Sequence, residues 1–182
     1  MHDIIYMVIY LMEITKDYLE NNLDFFKNTF KNQEVNIYFL SKSEADTKYL
    51  SYEISKTLKK EDVIVLNGEL GSGKTAFMYG VAKYFNIENE ISSPTFTIVN
   101  EYNSKCSGKY TNSINIYHFD VYRLEDETEF LDQIGTEYFE NGISFIEWGN
   151  IIANILPKKA IFIDITKDDK NYDMRHIHIW RK

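Results

Sequence analysis

One stretch, LNGELGSGKTAF at residues 66–77, restricts the fold of this chain more than any other. A short apolar run rich in β-branched residues, DVIVLN, leads into it, and TAFMYGVAKYF continues with helical character. The stretch satisfies G-x-x-x-x-G-K-[ST] with Gly68, Gly73, Lys74 and Thr75. A buried strand, a glycine-rich turn and a helix in this order predict a phosphate-binding loop rather than a turn that binds nothing.

The residue types of this loop suit a bound polyphosphate. Small residues let successive backbone N–H groups turn towards the phosphates, and the helix N-terminus adds its positive end. We expect Lys74 to reach the β and γ phosphates and the Thr75 hydroxyl to ligate Mg²⁺. The predicted nucleotide contacts in the loop are Glu69, Leu70, Gly71, Ser72, Gly73, Lys74, Thr75 and Ala76.

Two strand-like segments end in carboxylates. ISFIE ends at Glu147, INIYHFD ends at Asp120, and both ends of a parallel α/β sheet would open on the side of the loop. One carboxylate can support the metal and the other can orient the attacking water, but the spacing leaves these roles open. His118 shares the strand face of Asp120 and is a candidate to position that acid, although a histidine that only packs is the commoner case.

The segment SSPTFT at residues 92–97 is a third candidate element of the site. Pro94 restricts Ser93 to an extended conformation, and the Thr95 hydroxyl can face Mg²⁺ or the γ-phosphate, as switch segments do. The alternative is a simple turn into a strand. The residues alone do not decide between the two.

From residue 36 onwards strand and helix patterns alternate. The predicted strands are NIYFL, DVIVLN, FTIVNEY, INIYHFD, ISFIEW, AIFIDIT and MRHIHIW, and Ser43 with Asp46 predicts the start of a helix that runs to Lys60. We therefore expect a P-loop domain over residues 35–182, folded as a three-layer α/β sandwich. Its sheet should be mainly parallel, with antiparallel C-terminal strands.

Residues 1–34 differ from the rest and predict a helical N-terminal extension. Ile4–Met12 is a run of nine apolar residues without a preceding basic region or a cleavage site, so we expect a packed segment rather than a signal peptide or membrane span. The spacing of Leu19, Leu23, Phe26 and Phe30 predicts an amphipathic helix. It should pack on its own domain; a partner-binding helix is the alternative.

Net charge and cysteine content narrow the function classes. The formal net charge of −8 repels nucleic acid phosphates, so direct DNA binding is not expected and any RNA should be held by a basic partner. The single cysteine, Cys106, excludes an internal disulfide and a cysteine-based zinc site. The single cysteine fits a protein of the reducing cytoplasm.

The motifs GELGSGKT, SSPTFTIVNEY, YHFDVYRL and EFLDQIGTEYFENGISFIEWG follow one another in this chain. This series, over about residues 36–180, resembles the bacterial TsaE (YjeE) family of tRNA threonylcarbamoyladenosine synthesis. The resemblance implies a Mg²⁺-dependent ATPase that acts with the TsaD and TsaB proteins. TsaD would carry the transfer onto adenosine 37 of tRNA, and the chain would meet tRNA only through that complex.

The resemblance also implies roles for individual residues. By position, Thr75 and Glu147 would be the Mg²⁺-associated pair and Asp120 a second essential carboxylate. Thr95 would be a switch-like threonine, and Trp148 would place a ring close to the nucleotide. The family begins near residue 36, so the first 34 residues are an addition.

Two other classes of P-loop protein compete with this interpretation. A GTPase switch would use TKDD at 166–169 to bind guanine and DQIG at 132–135 near the phosphates, but DQIG follows a helical pattern and TKDD suits a hairpin turn. A small-molecule kinase would bring an arginine-rich lid, whereas the only arginines are Arg123, Arg175 and Arg181. Without an evident arginine finger, we expect slow turnover unless a partner completes the site.

Overall fold

The computed structural model describes residues 13–31, 35–87, 91–94, 97–104 and 113–181, and within these ranges the chain forms eight strands and six α-helices. The strands are β1 (Glu13–Thr15), β2 (Val35–Ser41), β3 (Val63–Asn67), β4 (Val99–Asn103), β5 (Asn115–Asp120), β6 (Gly142–Glu147), β7 (Ile161–Lys167) and β8 (Arg175–Arg181). The helices are α1 (Lys16–Asn21), α2 (Leu23–Lys31), α3 (Glu44–Ser55), α4 (Lys74–Phe85), α5 (Glu127–Gln133) and α6 (Tyr138–Asn141). A 3₁₀ turn, Gly149–Ile152, follows β6.

All eight strands form one sheet in the order β1-β2-β8-β7-β3-β6-β5-β4. The central strand β3 is parallel to both of its neighbours, β6 and β7, and β5 is parallel to β6. The closing strand β8 is antiparallel to β7 and β2, as predicted for the C-terminal strands. At one edge β4 is antiparallel to β5, and at the other edge β1 is parallel to β2.

Alternate residues of β3 show how the layers are built. Ile64 and Leu66 belong to a cluster that includes residues of α1 to α4, whereas Val63 and Val65 belong to a second cluster with Phe130 of α5 and residues near α6. Since successive side chains of a strand point to opposite faces, the sheet is covered on both sides. The predicted three-layer α/β sandwich is confirmed.

The structure shortens two predicted elements. Helix α3 begins after Ser43, whose hydroxyl accepts the amide of Asp46 as predicted, but it ends at Ser55 rather than Lys60. There the amide and hydroxyl of Thr57 both donate to the carbonyl of Ile54, which turns the chain out of the helix. Strand β4 starts at Val99 because the amide of Ile98 closes a turn onto Pro94, with Ile98 in the left-handed region.

The N-terminal segment packs into the main core rather than standing apart from it. Its amphipathic stretch is two helices, separated at Asn22, and it is preceded by the short strand β1, which the helical expectation missed. Leu19, Phe26 and Phe30 are buried in the same cluster as β2 and α3. The apolar run at residues 4–12 lies outside the described residues. In the part of the chain that the structure describes, no helix has the length and apolar character that crossing a bilayer requires.

Helices α3 and α4 are in close contact at Gly80. A Cβ atom at this position would overlap the Ser51 hydroxyl and the carbonyl oxygen of Lys48. Because one of these atoms belongs to the backbone, the helices would have to move apart.

We predict that Gly80→Ala lowers the free energy of unfolding by about 1–3 kcal/mol, since overpacking outweighs the gain in helix propensity. Urea denaturation measures this change. Lys83→Ala, on the exposed side of the same helix, is the control and should shift stability by no more than about 0.5 kcal/mol. A Gly80→Ala protein as stable as the wild type would contradict the close contact.

Candidate functional site

The loop between β3 and α4 curls because three of its glycines adopt positive φ angles, 147° at Gly68, 74° at Gly71 and 118° at Gly73. A side chain is strained in this region of backbone space, which explains why glycine stands there. Gly73 precedes the first turn of α4, and among the described residues no side chain caps that turn. The first amides of α4 are therefore available to an anion.

Lys74, the first residue of α4, is held inside this loop. Its ammonium donates to the carbonyl oxygens of Gly68 at 2.8 Å and of Glu69 at 3.2 Å. It also lies 4.5 Å from the ring centroid of Trp148 and 3.8 Å from the Glu147 carboxylate. Only 6% of its surface is exposed, so burial lowers the pKa of Lys74, while the charges of Glu147 and Asp120 oppose that shift.

Asp120 and Glu147 are brought side by side at the carboxyl ends of two parallel strands. They are paired residues of β5 and β6, and Glu147 is also in register with Leu66 of β3, just before the loop. Both carboxylates are at least nine-tenths buried. The Oδ1 atom of Asp120 accepts a hydrogen bond from the backbone amide of Tyr122, with 3.2 Å between nitrogen and oxygen. The two acids therefore face the start of α4, as the strand pattern predicted.

His118 contacts the other acid of the pair. Its Nε2 lies 3.0 Å from Oε1 of Glu147, and its Nδ1 is buried without a hydrogen-bond partner among the described residues. The hydrogen-bond partner of His118 Nε2 is therefore Glu147, and not Asp120, the acid that the sequence offered as a candidate. Residues two apart on one strand point the same way, and the diagonal neighbour on β6 comes within reach of the ring instead.

These groups line a cleft of about 500 Å³. Of the predicted contacts, it is lined by Leu70, Gly71, Gly73, Lys74, Thr75, Ala76, Asp120, Glu147 and Trp148. Ser72, a residue of the loop itself, is buried. Glu69 accepts a hydrogen bond from Lys74 through its carbonyl oxygen. Thr95 lies outside the described residues.

Trp148 adopts an unusual backbone conformation directly after Glu147. Its φ of 63° and ψ of 28° lie in the left-handed region, which residues other than glycine and asparagine rarely adopt. The indole packs against Tyr122 with ring centroids 5.0 Å apart and covers the Lys74 ammonium. The turn thus places the tryptophan ring over the loop. Strained residues of this kind are often found at functional sites.

No complete metal cage is present within the described ranges, since no group of three His, Cys, Asp or Glu side chains there is placed to hold a metal ion. Magnesium at a nucleotide site does not require one, because it keeps several waters and takes phosphate oxygens as ligands. Thr75 is exposed at the start of α4, and Glu147 and Asp120 line the same cleft. The donor set fits Mg²⁺ bound together with a nucleotide.

The hairpin between β7 and β8 supplies contacts that the sequence did not reveal. Lys167 donates to the carbonyl oxygen of Leu70 at 2.9 Å, and Arg175 donates to that of Ser72 at 2.7 Å. Both cations therefore hold the outside of the loop. The sequence singled out Lys167 only as part of a guanine-binding pattern, and nothing near Arg175 pointed to the loop.

The two GTPase-like motifs have structural roles in the fold. Asp132 and Gln133 of DQIG are the last residues of helix α5, so this motif does not end a strand. In TKDD, Thr166 and Lys167 end β7, and Asp168 accepts a hydrogen bond within the hairpin, its carboxylate lying 2.9 Å from His176. Both locations agree with the sequence prediction for these segments.

Comparisons with known proteins agree with the order of the motifs. The sequence profile described as "Threonylcarbamoyl adenosine biosynthesis protein TsaE" matches residues 41–177. The tRNA threonylcarbamoyladenosine biosynthesis protein TsaE of Rickettsia conorii is 37% identical over 131 residues, 71% of this chain and 70% of that protein. The protein of the same name from Bacillus subtilis is 38% identical over 123 residues, 67% of this chain and 72% of that protein.

A solved structure gives the same result for the fold. The crystal structure of Bacillus subtilis YdiB superposes with a TM-score of 0.61 at 29% identity, over 81% of this chain and 86% of that one. The resemblance inferred from the motifs is thus confirmed.

The lowered pKa of Lys74 predicts a particular pH dependence of stability. The folded state releases the lysine proton at a lower pH than the unfolded chain, whose lysine titrates near 10.5. The unfolded state therefore binds more protons as the pH approaches 10.5, and stability must rise with pH in that window. Relative to Lys74→Met, the wild type should gain free energy of unfolding between pH 8 and pH 10, measured by urea denaturation. A difference that stays constant or shrinks would mean that Lys74 is not destabilised by burial.

Proposed function

The chain belongs to the TsaE family of threonylcarbamoyl adenosine biosynthesis proteins, and from that premise we propose that it is a Mg²⁺-dependent ATPase that supports tRNA N6-threonylcarbamoyladenosine modification. The observation that carries this proposal is the buried Lys74 ammonium, enclosed by the loop carbonyls, the Glu147 carboxylate and the Trp148 ring. A lysine held in this way at the mouth of a P-loop is suited to bind a polyphosphate.

Each residue of the cleft is assigned a separate role according to its position. The loop amides and the first turn of α4 bind the phosphates. Lys74 then donates its hydrogen bonds to phosphate oxygens instead of to the loop carbonyls. Thr75 and Glu147 would hold the metal, which would neutralise charge that develops on the phosphates. Asp120 orients the attacking water or accepts its proton, and Trp148 covers the site. Catalysis then rests on positioning and electrostatic stabilisation.

We further propose that a partner completes the site. Arg175 lines the cleft, but its guanidinium is bound to loop carbonyls and to the carbonyls of Tyr172 and Met174. It is therefore committed to holding the loop and is a poor arginine finger. We expect cytoplasmic partners, the TsaD and TsaB proteins, to stimulate turnover, and tRNA to be reached only through them. With a net charge of −8, the chain should bind neither DNA nor a membrane directly.

Substitutions in the cleft test the proposed roles. Lys74→Ala removes the phosphate-binding ammonium and Glu147→Ala removes the metal-associated carboxylate, so each should abolish ATP hydrolysis in a phosphate-release assay with and without the partners. Lys83→Ala is a matched control on the exposed side of α4 and should retain wild-type turnover. Activity like that of the wild type in either cleft variant would remove that residue from the mechanism.

The same assay tests the need for a partner. The isolated wild-type chain should turn over well below the ~10 s⁻¹ that is typical of enzymes, because Arg175, the arginine that lines the described part of the cleft, is bound to a loop carbonyl. Addition of TsaD and TsaB should raise the rate. Turnover at tens per second by the chain alone would exclude gating by a partner.

Nucleotide choice separates the proposal from a GTPase switch. We expect calorimetric titration to show tighter binding of Mg²⁺–ADP than of Mg²⁺–GDP, with binding of either lost in Lys74→Ala. Lys167 contacts the loop and Asp169 is exposed on the hairpin, where it could accept hydrogen bonds from a base. A guanine-specific site at TKDD would therefore bind Mg²⁺–GDP more tightly than Mg²⁺–ADP. Tighter binding of GDP would contradict the proposed ATPase and favour a GTPase switch.

A further inference from the structure

One buried side chain contacts a residue of the cleft from behind and has no role in the scheme above. His118 lies on β5 with 2% of its surface exposed, and its Nε2 faces Oε1 of Glu147 at 3.0 Å. The second oxygen of the same carboxylate lies 3.8 Å from Lys74. The glutamate is therefore held between an imidazole on one side and an ammonium on the other.

The second ring nitrogen decides which hydrogen bond is made. Nδ1 is buried and has no hydrogen-bond partner among the described residues. A proton on Nδ1 would leave a buried donor unpaired and turn the Nε2 lone pair towards the carboxylate, and both effects are unfavourable. A proton on Nε2 instead donates to Glu147 and leaves only an unpaired acceptor at Nδ1.

We propose that His118 is a positioning residue: its Nε2–H donates to Glu147 and orients that carboxylate towards Lys74 and the metal-binding side of the cleft. This inference rests on the proposed function. It assigns to β5 a direct part in aligning a residue of β6. The hydrogen bond restricts rotation of the carboxylate, so that one oxygen stays on the histidine and the other stays free for the cleft.

A pair of substitutions separates the hydrogen bond from the packing of the ring. His118→Phe keeps an aromatic ring of similar size but removes the donor, and His118→Gln supplies an amide N–H near the position of Nε2. With the partners present, His118→Phe should lower the kcat for ATP hydrolysis about 10- to 100-fold, as is typical for loss of a group that orients a metal ligand. KM should change little, because the loop and Lys74 still bind the phosphates. His118→Gln should recover most of the turnover.

The matched control makes the same change at another strand histidine. His178 lies on β8, where it stacks on Tyr38 and contacts Asn36, and it does not line the cleft. His178→Phe should retain wild-type turnover. Unchanged kcat in His118→Phe, or a His118→Gln protein no more active than His118→Phe, would overturn the proposal.

A second measurement does not depend on ATP hydrolysis. Long-range ¹H–¹⁵N spectra of the wild-type chain, with the signal assigned by its absence from His118→Gln, report which ring nitrogen carries the proton. We expect the Nε2–H tautomer in the wild type and a shifted Nε2–H signal in Glu147→Ala. An Nδ1–H tautomer would refute the positioning role even in an active enzyme. If the wild type hydrolyses no ATP while the Nε2–H tautomer and its dependence on Glu147 are observed, the proposed function fails and the hydrogen bond stands.

Discussion

The buried ammonium of Lys74 is the interaction on which the rest of the site depends. Removing a positive charge from water is costly unless partners replace its hydration. Here two loop carbonyls, a carboxylate and the face of an indole surround it. These partners come from two segments far apart in the chain, residues 68–69 of the loop and residues 147–148 at the end of β6, so both segments must assemble before the lysine is accommodated.

This requirement accounts for unusual backbone conformations at neighbouring positions. Three glycines of the loop adopt positive φ angles without steric cost, whereas Trp148 takes a left-handed conformation although it has a side chain. The parallel pairing of β3, β5 and β6 brings Asp120 and Glu147 to one edge of the sheet. Lys167 and Arg175 then hold the outer carbonyls of the loop from the hairpin. The stable sheet and hairpin thus support a locally strained site that is ready to receive an anion.

The N-terminal segment adds to the body of the protein rather than to the cleft. Strand β1 extends the sheet beside β2, and Leu19 and Phe26 are buried in the core that also contains α3 and α4. This segment lies before the range that matches the family profile. Strand β1 pairs with the edge of the sheet that β2 would otherwise expose, and pairing is one way to protect an edge strand.

The sequence by itself determined the elements and the chemistry of the cleft. The run DVIVLN, the spacing of Gly68, Gly73 and Lys74 and the carboxylates at two strand ends predicted a P-loop α/β fold, because strand period, glycine conformation and phosphate chemistry are all local properties. Local patterns did not reveal the strand β1 or the early end of α3, where long-range pairing and a single threonine decide the outcome.

Tertiary structure alone decided which side chains meet. His118 contacts Glu147 instead of its own strand neighbour Asp120, and Arg175 reaches the loop from more than a hundred residues away. Such contacts depend on the order and register of strands, which periodicity does not encode. The residue types of the site were therefore readable from the sequence, while the hydrogen bonds that orient them were set by the packing of β5 on β6 and of the β7–β8 hairpin on the loop.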